Sequence, residues 1–255
     1  MSSENRFGYE WNRYSKIDPQ YEGQFRNWTY PFGPDDFKNK RVLDAGCGMG
    51  RNSYWPAVYG AQGVIAFDFD KRSVSAARKN LSAFANVQVE FWSIYEIPWQ
   101  DEFDIAFSIG VIHHLEQPEQ ALARLVRVLK PSGRLLIWVY SYEGNEWIPR
   151  FVDPVRKHIT SRLPVALVHA LAYLVSGPLW LVVKFFKGSS PYFKQLSRFK
   201  FWHLHSIVFD QLIPKVAHYW KYDEVRALIK GLPLENIFVH APPNHNGWIL
   251  IATKK

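Results

Sequence analysis

A chain of 255 residues, 47% of them apolar, has the length for one domain with an insertion and the composition for a sizeable core. A single cysteine excludes an intrachain disulfide and any thiolate zinc site. The net charge of +8 is unevenly placed: residues 1–146 carry 16 Lys and Arg against 18 Asp and Glu, and residues 147–255 carry 15 against 5. Attraction for phosphates, in lipids, nucleic acids or substrates, therefore belongs to the second half.

The stretch from Met1 to Arg6 has no apolar run of the kind a secretory signal needs, so a cytoplasmic location is expected, or a peripheral one at the inner membrane face. Residues 1–37 form an aromatic, turn-rich cap that includes Phe7, Tyr9, Tyr21, Phe25 and Trp28 and ends in the Pro31-Phe32-Gly33-Pro34 turn. Such a segment can close over a site or pack against a sheet.

Residues 38–140 alternate strands and helices, which implies right-handed crossovers and a parallel sheet. The first strand, near 41–45, runs into Asp44-Ala45-Gly46-Cys47-Gly48-Met49-Gly50. Glycines at every second position make a tight turn on which a ligand can lie against the main chain. A dinucleotide loop reads G-x-G-x-x-G and receives a pyrophosphate. Here the spacing is G-x-G-x-G, and the acid before it would repel a pyrophosphate but suits a cationic ligand. The second strand, 63–68, ends in Asp68, placed to accept both hydroxyls of a ribose. Phe69 follows and can cover one face of an adenine. A helix over 73–80 and a strand over 87–91 lead to Phe91-Trp92-Ser93-Ile94. The fourth strand, 103–109, continues as Gly110-Val111-Ile112-His113-His114-Leu115. A helix beginning near Pro118 ends at Lys130-Pro131-Ser132-Gly133, and a fifth strand follows over 134–140.

These four ordered segments together resemble a class I S-adenosylmethionine-dependent methyltransferase, of the broad branch that includes ubiquinone-type and small-molecule enzymes. The likeness is close over residues 38–140 and loose over the final segment. It implies an α/β fold: a Rossmann-like, seven-stranded, mostly parallel sheet with an antiparallel last strand, helices on both faces and a helical insertion after strand five. It also implies S-adenosylmethionine as cofactor. By the resemblance, Gly46, Gly48 and Gly50 would pass under its methionine part, Asp44 would sit near the amino group, Asp68 would hold the ribose, and Ile109 and Gly110 would lie beside the sulfonium. Many relatives hold the adenine amino group with an acid after the third strand. This chain has Ser93 and the Ile94 amide there.

Methyl transfer from a sulfonium is an in-line displacement with a good leaving group, so alignment and exclusion of water matter most. A hydroxyl acceptor also needs a base. His113 and His114 follow the fourth strand at the carboxyl edge and are the candidates for a base or acceptor-orienting group, against the alternative of packing on the next helix. Tyr140, Tyr142 and Trp147 follow the fifth strand and are expected to line the acceptor pocket.

Residues 141–214 form the insertion. Its centre, Val165 to Val183, has no charged residue, and basic residues including Arg150, Arg156, Lys157 and Arg162 precede it, with Lys184, Lys194, Arg198 and Lys200 after. Ser176-Gly177-Pro178 should break it into two helices. A membrane span fits poorly, because the sheet must close with elements on both sides. A buried lid and an in-plane hairpin on an anionic membrane surface both remain open. His203-Leu204-His205, if extended, puts two imidazoles on one face as substrate contacts. A metal pair would need more ligands than nearby Asp210, so none is expected. Residues 215–255 supply a helix over 222–230, stopped by Gly231, and the last two strands, 235–240 and 248–253. The acceptor expected is a small molecule or a lipid- or saccharide-linked intermediate. An RNA acceptor fits the charge, but no RNA-binding module is visible and nucleic acid is not the expected partner. A binding protein on a decayed scaffold is the third reading, opposed by the intact glycine loop and Asp68.

Overall fold

The computed structural model describes residues 7, 9, 16–186, 194, 196–242 and 246–255. Seven strands, β1 (Arg41–Ala45), β2 (Gly63–Asp68), β3 (Val87–Phe91), β4 (Phe103–Ile109), β5 (Leu129–Val139), β6 (Leu234–His240) and β7 (Trp248–Lys254), form one sheet in the order β3-β2-β1-β4-β5-β7-β6. The first five run parallel, and β7 lies antiparallel between β5 and β6. The order reverses between β1 and β4, so their carboxyl ends border the crevice where open α/β sheets bind ligands.

Helices cover both faces. On one side lie α1 (Tyr21–Thr29), α2 (Pro34–Phe37) and α3 (Arg51–Val58). Phe25, Trp28, Phe37 and Trp55 pack there against Val42, Phe107 and Trp138. The aromatic cap therefore contributes to the core, and Phe7 also reaches the carboxyl edge, its ring 4.8 Å from that of His114. Residues 10–14 of the cap lie outside the described residues. α4 (Lys71–Leu81) is capped by Asp70, whose Oδ1 accepts from the Arg72 and Ser73 amides, and it buries Ala77 and Leu81 against Cys47 and Ala66. On the opposite side, α5 (Pro118–Val128) buries Ala121, Leu122, Leu125 and Val126, an i, i+3, i+4 stripe that faces the sheet.

After β5 come a short π-helical turn (Ile148–Val152), α6 (Asp153–His158), α7 (Val165–Phe185), α8 (Phe201–Leu212) and α9 (Tyr222–Ala227). α7 and α8 pair antiparallel: Val168 and Ala172 meet Val208 and Phe209, and Val183 meets Leu204.

Four expectations need correction. The expected break at Ser176-Gly177-Pro178 does not occur, and α7 is one helix of 21 residues. Pro178 removes a hydrogen bond at a cost of about 3 kcal/mol. Burial of Val168, Ala172 and Val183 on α8 offsets it, and Ser176 Oγ is hydrogen-bonded to His205 Nδ1 at 2.8 Å. His203-Leu204-His205 is helical rather than extended, because Leu204/Val208 and His205/Phe209 repeat at the helical spacing of four. α9 ends at Ala227 rather than 230: the Lys230 amide bonds the Ala227 carbonyl in a tighter turn, and Gly231, with φ of +82°, comes after it. β5 begins at Leu129, before its bulge opposite Phe103 and Ile105.

Candidate active site

The loop from Ala45 to Arg51 turns on three glycines with positive φ: 81°, 53° and 85° at Gly46, Gly48 and Gly50. Gly46 is the most constrained. A Cβ there would lie 2.5 and 2.9 Å from the two γ-methyls of Val111, so the loop is packed directly on the segment after β4. Gly110 also has positive φ, +80°, but a Cβ there would meet nothing within 4 Å. It borders open space at the switch between β1 and β4.

Two acids frame this crevice. Asp44 is buried, and its Oδ2 accepts from Ser53 Oγ at 2.6 Å. Burial pushes its carboxyl up to about 7, opposed by the Ser53 bond and reinforced by the Asp68 charge. Asp68 accepts from the Gly48 amide (2.9 Å) and the Asp70 amide (2.9 Å), one on each oxygen. Burial raises it to about 6, partly offset by those amides. Each carboxylate oxygen has a second lone pair, so Asp68 can hold the loop and still accept from two hydroxyls. Phe69 is exposed and stacks on Phe91 with centroids 5.6 Å apart and planes 15° apart, giving a flat aromatic surface beside Asp68. The signal for Phe91 was available in sequence, as an aromatic ending the strand next to Phe69. Ser93 Oγ accepts from the Tyr95 amide at 3.3 Å, and the Ile94 side chain is buried in the core beneath. Ile109 is buried as well. Cys47 is buried with its thiol pushed up by desolvation, which leaves it inert.

The histidines divide in role. His114 Nδ1 donates to the Val216 carbonyl at 2.9 Å, and His218 donates its amide to the His113 carbonyl at 2.8 Å. These bonds tie residues 216–218 to the turn after β4, so His114 is committed to holding that crossing. His113 is fully buried, and neither ring nitrogen has a hydrogen-bond partner among the described residues. Its ring stacks on Tyr140 at 3.8 Å. Burial drives its pKa well below the usual imidazole value, so it is neutral at pH 7 and offers one donor and one acceptor.

Tyr140 joins the sheet to the insertion. Its hydroxyl donates to Asp210 Oδ2 at 3.0 Å and accepts from Gln211 Nε2 at 3.1 Å, and Tyr219 donates to Gln211 Oε1 at 2.9 Å. Asp210, raised to about 6 by burial, is the hydrogen-bond partner of Tyr140. Among the described residues no group of three His, Cys, Asp or Glu could hold a metal ion. Beneath lies Arg156, fully buried and paired with Asp153. It is not a surface cation, contrary to its place among the basic flanks. Nothing in the sequence marks it, because a lone arginine in a basic run reads as solvated.

His203 and His205 are separated by the helix. His203 stacks on Phe199 and meets Tyr21 edge-on at 5.1 Å, within the influence of the Arg51 charge. Arg51, the first residue after the glycine loop, lies over Tyr21 and Trp28, and its charge also lowers the Asp210 pKa. Arg51, Tyr21, His203 and Asp210 therefore share one neighbourhood. His205 is buried inside the α7–α8 hairpin against Tyr173 and Ser176, away from that neighbourhood. Tyr142 lies beside Lys221, and Trp147 is 56% exposed, so neither joins the His113–Tyr140 group.

A profile described as "Methyltransferase domain" matches residues 36–164, half of the chain. The chain belongs to this methyltransferase family. The chain is 37% identical over 103 residues to a tRNA U34 carboxymethyltransferase of Ruthia magnifica, covering 39% of this chain and 32% of that protein. It is 33% identical over 126 residues to a demethylmenaquinone methyltransferase of Clavibacter sepedonicus, covering 49% of this chain and 51% of that protein. The chain thus spans between a third and a half of the length of these curated relatives. Among solved structures, a magnesium protoporphyrin IX methyltransferase from Synechocystis PCC 6803, with bound SAH, superposes over 96% of this chain and 93% of its own with a TM-score of 0.56 and 13% identity. A SAM-dependent methyltransferase from Aquifex aeolicus superposes over 94% and 100% with a TM-score of 0.53 and 17% identity. These likenesses establish the fold. The residues of this chain fit S-adenosylmethionine: Asp68 has free acceptor capacity at the end of β2, and Gly110 borders open space at the switch between β1 and β4.

Proposed function

We infer that the protein transfers a methyl group from S-adenosylmethionine to a small-molecule acceptor, or to one linked to a lipid or saccharide. The observation that carries the reading is His113: buried, without a hydrogen-bond partner among the described residues, and three residues beyond the open space at Gly110. A buried donor with no partner costs about 1–3 kcal/mol, a cost that an arriving acceptor group would relieve.

When bound, the cofactor supplies an activated methyl on a sulfonium. The chain supplies the rest. Asp68 would accept the ribose hydroxyls, and the Phe69–Phe91 surface would carry the adenine, with Ser93 and the Ile94 amide at its edge. Asp44, when ionised, would provide negative charge near the amino group, and the turn through Ile109 and Gly110 would border the methyl. His113, neutral at pH 7, orients the acceptor through its free ring donor and acceptor. Tyr140 positions the His113 ring by stacking, and Asp210 and Gln211 fix the Tyr140 hydroxyl. His203, Arg51 and Tyr21 form the far wall, which the insertion completes.

The test is methyl transfer from labelled S-adenosylmethionine into lipid, RNA and soluble-metabolite pools of a cell extract, with Asp68→Ala as control. Label in the lipid or metabolite pool that is lost in the control supports the reading. Label confined to RNA overturns the acceptor class. That second reading has one observation in its favour, the match to a relative named for a tRNA base.

A further inference from the structure

α7 is apolar on both sides, and the described residues cover only one of them. Its inner side buries Val168, Ala172, Ser176 and Val183 against α8 and its flanking turn. Its outer side leaves Leu174 73% exposed, Phe185 81% and the following Phe186 61%, with Val175 and Leu181 between them also exposed. Only 28% of its most apolar 18-residue window is buried. The helix is about 32 Å long at about 1.5 Å per residue, so this strip far exceeds the scattered apolar residues of an ordinary surface.

The margins of the strip carry one sign of charge. Between Asp153 and Asp210 the chain contains no Asp or Glu and eight Lys or Arg. Arg156 is buried, while Lys157, Arg162, Lys184, Arg198 and Lys200 are exposed at the two ends of the hairpin; Lys157 shares Asp153 with Arg156 and Lys200 lies 3.6 Å from Asp18, so the net charge of these ends is still positive. An apolar strip with cationic ends matches the interface of an anionic bilayer, where acyl chains receive the strip and headgroups receive the cations. A second copy matches poorly, because it would bring two such cationic margins together. A span across the bilayer is opposed by the inner side, which is occupied by α8 and contains the Ser176–His205 hydrogen bond.

We propose that the outer face of α7 docks the enzyme, in plane, on an anionic membrane surface. The proposal stands independently of the acceptor: the strip would hold the active site at a membrane whether the acceptor is lipid-linked or soluble.

The test is co-sedimentation of the full chain with vesicles of phosphatidylcholine alone or with about 30% phosphatidylglycerol. The wild type is expected to bind the anionic vesicles at least about tenfold more tightly than the neutral ones, and to be released by 0.5 M salt. Leu174→Glu/Leu181→Glu should abolish binding, while its thermal midpoint and its affinity for S-adenosylhomocysteine stay within error of wild type, which separates loss of docking from loss of folding. Arg198→Glu/Lys200→Glu should weaken anionic binding and leave any residual neutral binding unchanged. Equal binding to both vesicle types overturns the proposal, as does failure of the folded wild type to bind either. Dimerisation in sedimentation velocity that the Leu174→Glu/Leu181→Glu variant dissolves overturns it as well and assigns the strip to a second copy.

Discussion

Gly46→Ala probes the joint between the two halves of the cofactor site. Two separate costs arise. A non-glycine residue at φ of +81° carries about 1–2 kcal/mol of left-handed strain. The new methyl also falls 2.5 Å from one Val111 γ-methyl and 2.9 Å from the other, inside any van der Waals contact, and overpacking of this kind costs about 1–3 kcal/mol. The single variant should therefore lose roughly 2–5 kcal/mol of stability, a large part of a typical domain's total. Val111→Ala alone should lose about 1 kcal/mol, since that side chain is only half-buried. The double variant removes the clash but not the strain, so it should be more stable than the sum of the singles by about 1–3 kcal/mol. Urea unfolding followed by tryptophan fluorescence reads the stabilities, and calorimetric titration with S-adenosylhomocysteine reads the site. The coupling should appear in both. Additive losses, within about 0.5 kcal/mol, would refute the claim that Gly46 is glycine because Val111 occupies the place of its side chain.

The buried acids predict a pH dependence. An Asp44 carboxyl at about 7 in the folded protein, against 3.8 for the ordinary group, makes the folded state hold a proton that the unfolded chain has released. Stability should therefore fall as pH rises from 4 to 7, and Asp44→Asn should flatten that fall and gain about 2–4 kcal/mol at pH 8 in thermal or urea unfolding. Binding of S-adenosylhomocysteine, with its ammonium and ribose hydroxyls, favours ionised Asp44 and Asp68, so affinity should rise between pH 5.5 and 8 and be lost in Asp68→Ala by calorimetry. Tyr140→Phe removes the donor to Asp210 and should lower kcat at unchanged KM for the cofactor, with a cost of about 1–3 kcal/mol in stability. His114→Ala should cost about 1–2 kcal/mol by freeing the Val216 carbonyl, and should reduce kcat less than His113→Ala does, measured on the same acceptor.

The cofactor half was legible because its signals are local. The strand–glycine–helix order and Asp68 at a strand end each follow from a few adjacent residues, while the antiparallel last strand came only from the family resemblance. The insertion was not, because its structure depends on contacts between distant segments. Pro178 reads as a helix breaker until α8 lies alongside. His203 and His205 read as a pair until the four-residue repeat of Leu204 and Val208 is given weight, and then the helix turns them apart. The Tyr140–Asp210 bond joins residues 70 positions apart, and no spacing rule reaches that far. Arg156 shows the same limit: its burial depends on Asp153 and on the α8 terminus, whose Gln211 carbonyl lies 3.5 Å away.

The place of β7 has a consequence for how the protein assembles. Residues Trp248 to Thr253 pair with Val139 to Arg134, so the β5 edge waits for a partner more than a hundred residues later in the chain. Five parallel strands and the whole insertion are synthesised before that edge is closed. Until then Leu135, Leu136 and Ile137 present an apolar strand with unpaired amides and carbonyls, a template for another chain. Closing so long a loop adds an entropic cost to this pairing. Nascent chains stalled before Trp248 are therefore the ones that should engage chaperones or aggregate, while chains released past Lys254 complete the sheet.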